Sequence, residues 1–262
     1  MINKPMIGVA AAVVLIAAGT WYYLQSRHAP APQVAAASPP PAAPEEPAIE
    51  HPVPAAQESA ASGPLPALAD SDASLSDALV RIAGASAVKD YLLPESIVRH
   101  LVVTIDNLPR QTGAVQKRPV GPAGGSFVAE GDELHATLDA QNYVRYQPMV
   151  AVVGKLDVHE LTAVYIRFYP LFQQAYQELG YPNGYFNDRL VQVIDNLLAA
   201  PQPTGPIVLV RPNVMYTFAD PALESRSAGQ KLLIRMGPDN AATIKAKLKE
   251  LRAAITAAPP KH

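Results

Sequence analysis

Residues 101–108 read LVVTIDNL and residues 190–197 read LVQVIDNL, identical at six of eight positions. Both octets space their apolar residues for a helix and end near an Asp-Asn pair. Three further matches follow in the same order. Arg118-Pro119-Val120 parallels Arg211-Pro212-Asn213-Val214, Arg145-Tyr146-Gln147-Pro148 parallels Arg235-Met236-Gly237-Pro238, and Glu160-Leu161-Thr162-Ala163 parallels Glu250-Leu251-Arg252-Ala253. The offset stays near 90 residues, which marks an internal repeat rather than one chance match. The expectation is a helix-rich α+β head with an internal duplication of about 90 residues, its halves spanning about 75–165 and 166–257. Each half would hold a helix, a Gly/Pro loop, short strands and a helix, with the halves related by a pseudo-two-fold.

Around the octets, start and stop signals delimit the elements. Asp70, Ser71 and Ser74 offer caps for a helix through Leu75, Leu79, Val80 and Ile82 that Gly84 ends. Pro94 and Glu95 open the helix that carries the first octet, and Pro109 stops it. Residues 110–148 are rich in Gly and Pro and read as loops with short strands. Asp157 caps a long helical pattern to Gly180, in which Pro170 predicts a kink or two abutting helices. Asn187 reads as the cap of the helix bearing the second octet. Gly205–Val210 and Val214–Phe218 read as paired strands, and Gly237-Pro238 opens a last helix that Pro259 ends.

Ahead of the head the chain changes character. Residues 1–6 are followed by an apolar, uncharged run, residues 7–24, closed by Trp21, Tyr22 and Tyr23. Eighteen helical residues give roughly 27 Å, enough for a bilayer core, and aromatic rings favour the headgroup zone. The run is read as one N-terminal transmembrane helix with residues 1–6 cytoplasmic. A cleaved signal peptide, with Ala17-Ala18-Gly19 as the cut site, is the competing reading. Residues 25–66 form a Pro/Ala-rich linker with eleven prolines between Pro30 and Pro66, a composition that buries too little apolar surface to order itself. It is read as a disordered tether reaching roughly 100 Å.

The head, residues 67–262, carries 19 basic and 19 acidic residues, because Lys4, Arg27, Glu45, Glu46, Glu50 and Glu58 all lie before it. That balance argues against a nucleic-acid partner. The chain has no cysteine, which removes disulfides, thiolate catalysis and cysteine-based metal sites. Its six histidines are scattered, so spacing proposes no metal site, and no cofactor motif is present. His159-Glu160 begins like a zinc-protease motif, but Ala163 stands where the second histidine belongs.

Two groups of residues are candidates for function. Asp106 and Asp195 recur near helix C-termini, where the helix dipole disfavours a carboxylate, so each needs a partner. Arg118 and Arg211 recur in step and are the predicted partners in structural ion pairs. The second group is aromatic: Tyr165, Tyr169, Phe172 and Tyr176 share one helix face, with Tyr185 close by. This face is either an aromatic core edged by hydroxyls or a binding surface for protein or glycan. Asn187 and Asp188 beside it suit a helix start, whereas Arg189 has no such local reason and is the leading contact residue.

The blocks Asn142-Tyr143-Val144-Arg145-Tyr146, Tyr169-Pro170-Leu171-Phe172-Gln173-Gln174-Ala175-Tyr176, Leu179-Gly180-Tyr181-Pro182, Tyr185-Phe186-Asn187-Asp188-Arg189-Leu190, Asp220-Pro221-Ala222-Leu223-Glu224 and Gly229-Gln230-Lys231-Leu232-Leu233 span most of the head. Together they resemble a bacterial family, domain of unknown function 3014. The resemblance implies a membrane-anchored envelope protein of unassigned activity, and the family has no catalytic residues to carry over. The functional expectation is a membrane-tethered envelope binding or scaffold module, whose partner is an envelope protein or cell-wall glycan. The alternative is a cell-wall hydrolase using paired carboxylates such as Glu178 and Asp188.

Overall fold

The structure is a computed structural model that describes residues 48–54, 64–111, 118–131 and 136–257. These residues belong to one compact unit, Pro47–His262. The apolar run 7–24 and the linker stretches 25–47 and 55–63 lie outside the described residues. Among the described residues no helix is long and apolar enough to cross a membrane.

A 3-10 turn, Leu68–Asp70, leads into α1 (Asp72–Ala83), and the Ser71 hydroxyl donates to the Leu68 carbonyl at 2.8 Å. Gly84 ends α1 at φ +88°, and α2 (Ala85–Tyr91) follows directly. Next comes α3 (Ile97–Asn107), whose start is capped from a distance. The Asp72 carboxylate accepts from Ser96 N at 2.6 Å and Ile97 N at 2.8 Å. A short hairpin, β1 (Ala129–Glu130) and β2 (Ala136–Leu138), leads through α4 (Gln141–Val144) and α5 (Gln147–Lys155) to α6 (Val158–Glu178). The remainder is α7 (Phe186–Leu198), β3 (Val208–Val210), β4 (Thr217–Phe218), α8 (Pro221–Glu224), α9 (Ala228–Arg235) and α10 (Pro238–Ile255).

The strands form one antiparallel sheet in the order β1-β2-β3-β4. Register pairs Ala129 with Leu138, Ala136 with Leu209, and Leu209 with Phe218. On β3 the side chains alternate, with Leu209 fully buried between exposed Val208 and Val210. Leu138, Ile207, Leu209, Phe218 and Ile234 make a small core beneath the sheet. The main core lies between helices, where Leu75, Ile97, Phe168, Phe186, Ile194 and Ile255 are each at most 2 % exposed. It is formed where α1, α3, α7 and α10 pack on α6.

Three local expectations change. Of the two readings at Pro170, abutting helices give way to one 21-residue helix, α6, with the proline inside it. Asp157 does cap it, accepting from Glu160 N at 3.0 Å. The α7 N-cap is Tyr185 rather than Asn187, and the first free amide of α7, on Phe186, donates instead to Gln173 Oε1 of α6 at 2.8 Å. The segment 110–148 read as loops and strands also holds α4 and the first residues of α5.

Candidate functional site

The helix face that carries Tyr165, Tyr169, Phe172 and Tyr176 points into the core. Tyr165, Phe172 and Tyr176 are each no more than 9 % exposed, and Phe172 stacks on Phe186 with centroids 5.7 Å apart. Tyr176 stacks on Tyr181 at 4.5 Å, and half-buried Tyr169 meets Tyr165 edge-on at 5.8 Å. Burial pushes the phenols of Tyr165, Tyr169 and Tyr176 above their ordinary value, so they stay protonated donors. Of the two readings open for these rings, the geometry matches the aromatic core. Tyr185 sits half-buried at the start of α7.

Arg189 is also not an open contact residue. Its Nε donates to Asp106 Oδ1 at 2.9 Å and its NH2 group donates to the Asp106 carbonyl at 2.7 Å. Asp106 is 2 % exposed and takes two more donors on Oδ2, Arg110 at 2.7 Å and the Tyr181 hydroxyl at 3.3 Å. The expected pairing of Asp106 with Arg118 is therefore corrected. Asp106 sits at the end of α3 facing the first turn of α7, so Arg189 and Arg110 reach it. The carboxylate in turn raises the Arg110 guanidinium above its ordinary value.

Asp195 pairs with Arg252 of α10, through Nε at 2.6 Å and NH2 at 2.9 Å, and not with Arg211. Arg211 lies on the β3–β4 turn, where its Nε donates to the Val214 carbonyl and its guanidinium lies 5.6 Å from the Tyr216 ring. Hydrogen bonding from Arg252 holds the Asp195 carboxyl below its ordinary value. A depressed carboxylate contributes stability above its unfolded pKa and loses it as pH falls through its folded pKa. Arg252→Ala should therefore move the Asp195 titration up toward an ordinary aspartate, as read from its side-chain carbonyl chemical shift by NMR. An unchanged midpoint would remove the pair from the account.

Asn187 and Asp188 are the built part of this region. Asn187 is fully buried and Asp188 is 9 % exposed, although both occupy the first turn of a helix. Asn187 Oδ1 accepts from the Tyr165 hydroxyl at 2.9 Å, while its Nδ2 donates to the carbonyls of His51 at 2.8 Å and Ile255 at 3.3 Å. Asp188 Oδ1 accepts from His51 N at 2.6 Å and Oδ2 from Glu50 N at 3.1 Å. Residues 48–54, assigned from composition to the disordered linker, thus lie against the head. The linker reading gives way there because two buried side chains satisfy three main-chain groups of Glu50 and His51.

Sequence reasoning selected Asn187 and Asp188 but for capping, and it missed their true ligand, the Glu50–His51 backbone. It also missed Gln173, which orders the α7 start by accepting from Phe186 N and Tyr169 and donating to the Gly184 carbonyl at 2.7 Å. Glu178 lies at the far end of α6 and pairs with Arg99 at 2.6 Å. Among the described residues no group of three His, Asp or Glu side chains is placed to hold a metal.

A helix-rich α+β head with a main-chain clamp at one helix start is the class that this geometry defines. The chain belongs to the family described as protein of unknown function DUF3014, whose model matches residues 97–252, more than half of its length. The match takes in every strand and α3 to α9, with most of α10. Neither a curated protein nor a solved structure matches the chain.

Proposed function

We propose that the protein is a binding or scaffold module of the bacterial envelope, anchored as a single-pass inner-membrane protein by residues 7–24 with its head in the periplasm. One observation carries the binding part of this reading. Asn187 and Asp188, both buried, hold the backbone of a proline-flanked segment bent at Glu50–His51 rather than a reactive small molecule. Main-chain capture with side chains left outside is a recurrent mode of peptide recognition. A hydrolase built on Glu178 and Asp188 is less well supported, because Asp188 spends both oxygens on backbone amides and Glu178 is paired with Arg99.

The head is further read as a duplicated unit. Helix, two strands, short helix, helix and long helix occur in that order over 97–178 and again over 186–255. After the second strand of each set an aspartate holds the next helix start in the same way. Asp139 Oδ1 accepts from Gln141 N at 2.6 Å, and Asp220 Oδ1 from Ala222 N at 2.8 Å. The sheet order sets the second hairpin beside the first, which favours units stepped along the sheet over a pseudo-two-fold. On this reading the Arg145–Pro148 and Arg235–Pro238 matches are one element out of step, since they fall at the α4–α5 and α9–α10 joins.

The absence of native cysteine makes the topology directly testable. A single cysteine at Val214, which is 77 % exposed, should be labelled by a membrane-impermeant maleimide in spheroplasts without lysis. Labelling only after lysis would place the head in the cytoplasm and end the envelope reading. The purified chain should bind envelope protein or wall glycan without shortening the glycan. Shorter glycan chains would establish the hydrolase instead.

A further inference from the structure

We infer that the Asn187–Asp188 site takes a proline-flanked peptide of a partner protein, bent at the captured pair, and that residues 48–54 occupy it in cis as a displaceable strap. This rests on the binding-module reading and names its ligand class and its control.

The two sides of the contact differ in build. On the head, Asn187 is locked by the Tyr165 hydroxyl and the Ile255 carbonyl, and Asp188 is 9 % exposed. On the strap, no residue from Ala48 to Pro54 is buried, and Ile49 is 49 % exposed. Ala48, Ile49, Glu50 and Pro52 are exposed while His51, Val53 and Pro54 are half-buried, and the polar hold on the strap is through its backbone, by the amides of Glu50 and His51 and the carbonyl of His51. A receptor that is pre-organised and a ligand that is not describe an exchangeable occupant.

The contacts also state what fits. The site asks for two successive N–H groups followed by a carbonyl, in a chain bent so that both amides face one carboxylate. Proline lacks the N–H, so Pro47, Pro52 and Pro54 limit the registers open to the strap. No strap residue is fully buried, so another segment that bends in the same way, with a proline after the clamped pair, meets the same main-chain demands. A strap on the same chain competes at an effective concentration on the order of millimolar. The site is thereby kept closed to weak ligands and opens to a partner that outcompetes the strap.

The test uses the whole 262-residue chain in detergent and a fluorescent peptide of residues 48–54, Ala-Ile-Glu-His-Pro-Val-Pro, read by anisotropy. His51→Pro removes one clamped amide from the strap and should raise peptide affinity at least about tenfold over wild type. Glu50→Pro, which removes the other, should do the same, and unchanged melting temperatures would show that both variants fold. Asp188→Ala added to His51→Pro should abolish that gain. Equal affinity in wild type and both proline variants would overturn the strap. No saturable binding to either proline variant, or binding indifferent to Asp188→Ala, would overturn the site. Failure here leaves the glycan and topology results standing, whereas glycan cleavage would end the module reading without touching peptide binding.

Discussion

Asp106→Ala should destabilise the head by about 3 kcal/mol, because it strips a buried carboxylate from the guanidinium that it neutralises. Asp106 accepts three side-chain donors, from Arg189, Arg110 and Tyr181, and is 2 % exposed. The Arg189 side chain keeps only 22 % of its exposure, so it cannot turn freely to water when its partner goes. Arg110 is about half exposed and loses little. Asp106→Asn keeps the shape and some of the hydrogen bonds, so it should cost less, about 1–2 kcal/mol. The decisive comparison is the double variant Asp106→Ala with Arg189→Met. If the pair is coupled, the double variant should be more stable in urea than the two single losses added together, by about 1 kcal/mol or more. Strict additivity would mean that the two residues act separately. The network joins the end of α3 to the start of α7, so its loss should also loosen the turn that presents Asn187 and Asp188.

Gly237→Ala should be nearly as damaging, at about 3 kcal/mol, through two additive causes. The residue sits at φ +88° and ψ 163°, a region open essentially to glycine, where a side chain costs roughly 1–3 kcal/mol. A Cβ there would also clash with the Cγ end of the Tyr143 ring, and moving a packed ring costs about 1–3 kcal/mol more. Gly84 has the same φ of +88° but open space around it, so Gly84→Ala should lose only the backbone part. Equal losses at the two glycines, measured by urea unfolding, would refute the steric share. The contrast separates conformational strain from packing with one substitution type.

The long elements were legible. The helices α1, α3, α6, α7 and α10 each carry several turns of apolar periodicity, and Gly84, Asp157 and Gly237-Pro238 mark ends that the fold uses. The β3–β4 hairpin was legible from its apolar runs around Arg211-Pro212-Asn213. The short helices α2, α4, α5, α8 and α9 were not, because four to nine residues make too few turns to display a face.

The site divides the same way. That Asp106 and Asp195 need cationic partners followed from their places near helix ends, but the partners, Arg189 with Arg110 and Arg252, come from other turns and other helices. Arg118 and Arg211 recur at the right interval, and interval says nothing about distance in space. The α7 start illustrates the limit further, since its cap is Gln173 from a neighbouring helix.

By itself the sequence determined an α+β head behind a proline-rich segment, its family, and the long helices that carry its core, because periodicity and punctuation are local properties of a chain. Only the tertiary structure decided what the polar residues do. Asn187 and Asp188 lie 136 and 137 residues from His51, and their chemistry depends on a backbone that arrives from outside the head. Main-chain donors look alike at every non-proline residue, so no residue pattern announces which two will be captured.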